Sequence, residues 1–195
     1  LTTAFRIFLA IPHLLLVGGP LAAAFSWSWS SRAGDLDWGA GGGVLGAVAA
    51  VVALIAWFSI LFTGRYPEGL WKLAAFYLRW RVRAVVYTAL LRDEYPPFGD
   101  GVYPAMLDLS PPEEPRNRWT VGFRIVLALP HLLAVCALSL AWMLSTILAW
   151  FAILFTGRYP EGLYEFGIGV LRWNIRVESY LLLLRDEYPP FSLRW

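Results

Sequence analysis

Apolar positions dominate three stretches of the chain. Phe5 to Phe25 is apolar apart from Arg6 at its edge, His13, and Pro and Gly. Gly43 to Gly64 and Val121 to Gly157 carry no charge except Arg124 near the start of the last. A spanning helix needs roughly 20 residues. The first two stretches fit one helix each. The third is nearly twice that length, so it either folds back on itself or continues as one long bent helix. Between and after these stretches the pattern changes to mixed polar and aromatic sequence, and Gly99–Asn117 is rich in Pro and acid.

The pattern repeats. Phe5-Arg-Ile-Phe-Leu-Ala-Ile-Pro-His13-Leu-Leu resembles Phe123-Arg-Ile-Val-Leu-Ala-Leu-Pro-His131-Leu-Leu, and Trp57–Phe98 aligns without gaps on Trp150–Phe191, with about 27 of 42 positions identical. The offsets are 118 and 93, so the first copy holds 25 extra residues. Gly18–Gly43 accommodates them, with Trp-Ser-Trp-Ser-Ser-Arg, Gly-Asp-Leu-Asp-Trp and a Gly-rich run. The expected organisation is a first hairpin repeat over 1–98, a linker over 99–117 and a second repeat over 118–195. The expected fold is an all-α membrane protein. Four transmembrane helices, about 3–25, 43–63, 119–137 and 139–156, form two same-orientation hairpins, each followed by an interfacial helix, about 67–91 and 160–184. The second hairpin turn falls near Cys136–Ser139 and leaves about 18 residues per helix, or roughly 27 Å, which barely crosses a 30 Å core.

Phe-Thr-Gly-Arg-Tyr-Pro-Glu-Gly stands at Phe62–Gly69 and Phe155–Gly162. Gly64 and Gly157 suit the left-handed end of a helix, Pro67 and Pro160 the start of the next, and Glu68 and Glu161 its first turn, where the helix dipole favours an anion. The motif predicts a structural corner with Arg65 and Arg158 at headgroup level. On the helices that follow, Lys72, Arg79 and Arg83 share one stripe, and Arg172 and Arg176 the matching one. A basic stripe on an apolar helix is the pattern of a helix in the membrane interface. Arg79/Arg83 and Arg172/Arg176 either grip one anionic headgroup by forked hydrogen bonds or pair with Asp93, Glu94, Asp186 or Glu187. Arg-Asp-Glu-Tyr-Pro-Pro-Phe closes each copy, and its paired prolines force an extended segment.

Composition supports a lipid environment. The chain is 58% hydrophobic and 15% charged, against roughly 25% charged for soluble domains. The first stretch is not read as a signal peptide, since it lacks the cleavage pattern and recurs in mid-chain. Of the 16 Lys and Arg, only Arg32 falls in an expected outer turn. Positive-inside bias then places the termini, linker and interfacial helices on the cytoplasmic side of the membrane, with Asp35 and Asp37 outside. Cys136 is the only cysteine, so no intrachain disulfide forms.

No nucleophile–base constellation, phosphate loop or metal spacing is present, so no catalytic residue or metal is assigned. The embedded arginines exclude nucleic acid as a partner. His13 and His131, one per copy and each after a proline, are the polar groups set deep in apolar sequence. They either hold a haem between them or serve local hydrogen bonding beside Pro12 and Pro130.

Leu-Ala-Ile-Pro-His, Phe-Thr-Gly-Arg-Tyr-Pro-Glu-Gly, Leu-Arg-Trp and Asp-Glu-Tyr-Pro-Pro-Phe together resemble the bacterial, mainly actinobacterial, membrane family called domain of unknown function 4389, here as two tandem copies. That resemblance implies small membrane proteins with no assigned reaction. The expected function is a non-enzymatic scaffold that binds anionic lipid, or an accessory subunit working with other membrane subunits or with itself. The rivals are an oligomeric channel or transporter, and a haem or quinone redox subunit through His13 and His131.

Overall fold

The computed structural model describes residues 2–19, 27–29, 36–38, 43–111 and 115–194. Among these residues six helices carry the fold: α1 (Thr2–Val17), α2 (Gly43–Thr63), α3 (Glu68–Thr88), α4 (Arg118–Gly122), α5 (Arg124–Thr156) and α6 (Glu161–Leu181). Among the described residues the one departure from helix and loop is a two-stranded antiparallel ribbon. It pairs β1 (Trp27–Trp29) with β2 (Leu36–Trp38), and Trp27 faces Trp38. The rest of the first copy's insertion, including Arg32 and Asp35, lies outside the described residues.

The hairpins expected within each copy are not formed. The α1 helix stops at Val17 rather than running to residue 25, because Gly18 takes a left-handed φ of 76°. Gly43, with φ 68°, opens α2 directly against that end. A Cβ on it would lie 2.6 Å from the carbonyl of Leu16, which no side-chain-bearing residue could accept. Along α3, Arg6 reaches the Tyr87 carbonyl and His13 faces Trp80, and farther along Gly46 lies against Tyr77. So α1 and α2 stack end to end, both antiparallel to α3. In the second copy α5 does the same alone. It is one helix of 33 residues that meets α6 through Arg124–Tyr180, His131–Trp173 and Trp142–Gly167. No turn occurs near Cys136–Ser139, since Cys-Ala-Leu-Ser offers no breaker and the helix ladder simply continues. Cys136 is exposed. Among the described residues two helices, α2 and α5, rather than four, are long and apolar enough to cross a membrane, with mean hydropathies of 2.6 and 2.2.

A second correction concerns α3 and α6. They are not surface helices: α3 is buried along most of its second half, and α6 turns only a narrow charged stripe, Glu161, Glu165 and Arg172, outward. Arg81, Arg83, Arg176, Trp80 and Trp173 find acceptors inside the protein. The apolar helices form the exterior instead. On α1 one stripe, Arg6, Ala10, His13 and Val17, is buried, while Phe8 is 66% exposed, and on α5 Leu133 is 76% exposed.

The copies meet head to tail. Trp57 Nε1 donates to the Val121 carbonyl (2.9 Å), and the equivalent Trp150 Nε1 donates to the Thr3 carbonyl (3.2 Å), Thr3 being the counterpart of Val121. These reciprocal bonds define an approximate twofold axis perpendicular to the long helices. The α1–α2 stack and α5 therefore run antiparallel, not parallel as expected. The linker carries the chain from the end of α3 to the first corner, where Arg116 N–H bonds Gly64 O at 3.0 Å.

Candidate functional site

Each copy builds the same aromatic box around its histidine. Pro12 opens the hydrogen-bond ladder of α1, and the Tyr95 hydroxyl donates to the Leu9 carbonyl beside it (3.2 Å). His13 Nδ1 accepts from Trp80 Nε1 (3.0 Å), its ring stacks on Phe98 at 4.3 Å, and Tyr95 meets it edge-on at 5.1 Å. The second copy repeats every contact. Tyr188 donates to Leu127 O (3.2 Å), Trp173 Nε1 to His131 Nδ1 (3.2 Å), and Phe191 stacks at 3.9 Å. An Nδ1 that accepts leaves the proton of the neutral ring on Nε2. Both Nε2 atoms are buried without a partner among the described residues. The paired prolines thus return the tail of each copy onto its own histidine, and the imidazole ties α1 or α5 to α3 or α6. Each histidine sits in its own box, and no direct contact joins the two rings.

A second pair of centres lies one or two turns away. Arg6 donates to the Arg92 carbonyl (3.0 Å), pairs with Asp93 and lies 4.8 Å over the Tyr87 ring. Arg124 donates to the Tyr180 (3.0 Å) and Arg185 (3.2 Å) carbonyls, pairs with Asp186 at 2.6 Å and lies 4.4 Å over Tyr180. Each guanidinium satisfies carbonyls at the end of α3 or α6, where Leu90 (φ 64°) and Leu183 (φ 63°) take left-handed conformations. Asp186 also receives Arg116 on both oxygens, at 2.9 and 2.6 Å. Burial would raise its pKa, but the hydrogen bonds from Arg116 and Arg124 outweigh it and hold the carboxyl below its usual range.

At the centre of the molecule Arg81 and Glu178 form a buried pair at 2.7 Å, each about 6% exposed, and Tyr77 donates to the same carboxylate (3.1 Å). Arg81 also donates to Val17 O and Gly19 O, both at 3.2 Å. These are carbonyls left open where α1 stops. Its counterpart in the second copy is Asn174, which bonds Ser139 and Val170 O. There α5 is continuous and has no open carbonyls.

The structure scatters the basic stripe. Arg83 donates to Gly99 O (2.7 Å) and Arg176 to the carbonyls of Ser192 and Arg194, so both clasp the returning tail. Arg79 is half-buried, and Arg172 stands on the exposed stripe of α6. Asp93 and Asp186, considered as partners for this stripe, are engaged by Arg6, Arg116 and Arg124 instead. Arg65 and Arg158 are exposed at the corners. Gly64 and Gly157 have φ of 75° and 70°, Pro67 and Pro160 immediately precede α3 and α6, and Glu68 pairs with Lys72 at 2.6 Å. Linker residues Pro104–Leu109, α3 and α6 line a cleft of about 610 Å³, with Arg92, Arg172, Arg176, Arg185 and Arg194 among its lining residues. Among the described residues no group of three His, Cys, Asp or Glu side chains is placed to hold a metal.

Sequence reading missed Arg6, Arg124, Arg81, Glu178 and the two tryptophans. The signal for Arg6 and Arg124 was present. Each stands seven residues before a histidine in both copies, and each copy supplies an Asp in Arg-Asp-Glu-Tyr-Pro-Pro-Phe.

The repeated geometry agrees with the family comparison. Residues 40–99 and 118–192 match the family described as Domain of unknown function (DUF4389), and the chain belongs to that family as two tandem copies. The first match begins at residue 40, near the end of the insertion, and does not include α1. No curated protein and no solved structure matches the chain.

Proposed function

We propose that the chain is a non-enzymatic membrane protein, a lipid-bound scaffold or an accessory subunit of a larger assembly in a bacterial plasma membrane. One observation carries this. In the most apolar 18 residues of α5 only 22% are buried, and in α2 only 33%, while Arg6, Arg81, Arg124 and Glu178 are buried inside. A core helix of a soluble domain would be mostly covered, and a bare apolar surface of this extent in water is strongly disfavoured. Hydrocarbon as the covering medium removes that penalty and explains why the charges sit within.

Anionic headgroups fit the exposed corner arginines, Arg65 and Arg158, and the arginines lining the linker cleft. Arg83 and Arg176 serve the tails. The test is extraction of membranes with alkaline carbonate followed by flotation on vesicles. The protein stays with the membrane after carbonate; release into the supernatant would refute the membrane reading. Replacing Arg65 and Arg158 by Glu lowers flotation with vesicles containing anionic phospholipid and leaves neutral vesicles unaffected. Each basic residue near such a surface contributes about 1 kcal/mol. Equal flotation of both variants on both vesicle types would remove the headgroup role.

A further inference from the structure

We infer that the long helices lie in the plane of one leaflet rather than crossing the bilayer, so that the two copies sit at equal depth with one shared face in lipid. The inference rests on the membrane reading above and adds its geometry.

Three observations converge. First, α5 has 33 residues, about 50 Å at the helical rise, and is uncharged from Ile125 to Phe155. Standing across a hydrocarbon core of about 30 Å, it would need a tilt of about 50°, beyond the range that spanning helices adopt. Second, the insertion leaves the α1–α2 stack at its midpoint, between Gly19 and Gly43, and carries Arg32, Asp35 and Asp37. With the stack upright, a charged loop with its own ribbon would emerge at the bilayer centre, where lipid offers no partner for backbone or charge. Third, the head-to-tail pairing puts Arg65 and Arg158 at opposite ends of the molecule. An upright molecule would divide its corner arginines between the two sides, against the positive-inside bias. With the helices in the plane, the twofold axis can lie along the membrane normal, and both corners reach the same headgroup layer.

The surfaces are arranged for this. Exposed apolar side chains cover α1, α2 and α5, and the exposed charges Glu161, Glu165 and Arg172 stand on the side of α6 turned away from the helix it packs on. The molecule as a whole has the two-faced character of an interfacial helix.

Depth measurement along α5 tests the inference. In a Cys136→Ser background, single cysteines at Val126, Leu133, Leu140 and Phe151 follow one exposed stripe and receive a fluorescent probe. The full-length protein is reconstituted in vesicles with lipids brominated at graded acyl positions. In-plane helices give one depth at all four sites, within about 5 Å, matching the shallow insertion of interfacial helices. A profile that passes through the bilayer centre near Leu133 and Leu140, with Val126 and Phe151 reached by impermeant quencher from opposite sides, overturns the in-plane geometry and keeps the membrane reading. No quenching by lipid at any site overturns both. Circular dichroism of each variant confirms that the fold tested is the native one.

Discussion

The first copy interrupts its long helix with a 25-residue insertion, whereas the second runs through the same point without a residue to spare. Val17 and Gly43 flank the interruption; Val135 and Cys136, their counterparts, are neighbours. The helical packing around the break is otherwise the same, down to the histidine boxes and the arginine caps. The differences are local and chemically matched. Where α1 stops, Arg81 reaches its open carbonyls and needs a buried counter-charge, which Glu178 supplies. Where α5 continues, an asparagine suffices. The comparison teaches that the unit of the repeat is one long helix folded against one shorter helix at the Gly-Arg-Tyr-Pro-Glu-Gly corner. Its integrity depends on who satisfies the backbone rather than on covalent continuity.

The largest effect should come from that central pair. Glu178→Ala leaves Arg81 buried without a counter-charge and lowers stability by about 3–5 kcal/mol, whereas Asn174→Ala, at the position matching Arg81, costs about 1 kcal/mol. Thermal unfolding in detergent ranks the two, and equal losses would break the assignment of distinct roles. Next come the boxes. Trp80→Phe and Trp173→Phe each leave a histidine Nδ1 buried without its donor and cost about 1–3 kcal/mol. Similar losses sharpen the equivalence of the copies; an effect confined to one copy would break it.

Acid should weaken the Asp186 centre. Asp186 takes two arginines and is 35% exposed, while Asp93 takes one and is 92% exposed. A carboxyl held low in the folded state contributes stability above its unfolded pKa of about 3.9. That contribution fades as pH falls through the lower folded value. Asp186→Asn should therefore flatten the loss of stability in acid, measured from pH 6 to 2. Trp57→Phe and Trp150→Phe each remove one reciprocal bond between copies, a matter of about 0.5–1.5 kcal/mol. Excising residues 18–42 should have the smallest effect: circular dichroism should show undiminished helix per residue. A loss of helix would show that the two long helices are not equivalent.

Much of this architecture was legible in the sequence. The repeat, the corners and the extended tails follow from residues whose conformational demands are strong, namely Gly, Pro and paired Pro. The path of the long helices was not read correctly, because an apolar run has the same composition whether it turns or continues. The deciding signal was positional: extended at offsets of 118 and 93, Val17 and Gly43 fall on the neighbours Val135 and Cys136, which leaves nothing from which to make a turn. The interior of α3 and α6 was misread for a related reason. Arg79 and Arg83 look alike on a helical wheel, and only the returning tail distinguishes the one that clasps a carbonyl from the one that does not.

The two left-handed leucines have a further consequence. A non-glycine residue in that conformation costs about 1–2 kcal/mol, and both leucines are buried. The segments that hold them cross over. Ala89 and Leu91 pack with Trp142, Val170 and Leu171 of the second copy, while Leu182, Leu183 and Leu184 pack with Trp71, Ala74 and Tyr77 of the first. Each half therefore finishes the other's helix ends, and neither is a self-sufficient folding unit. Severed in the linker, the halves should be recovered only together, and the intact chain should lose its structure in a single cooperative step, despite having arisen as the same sequence written twice.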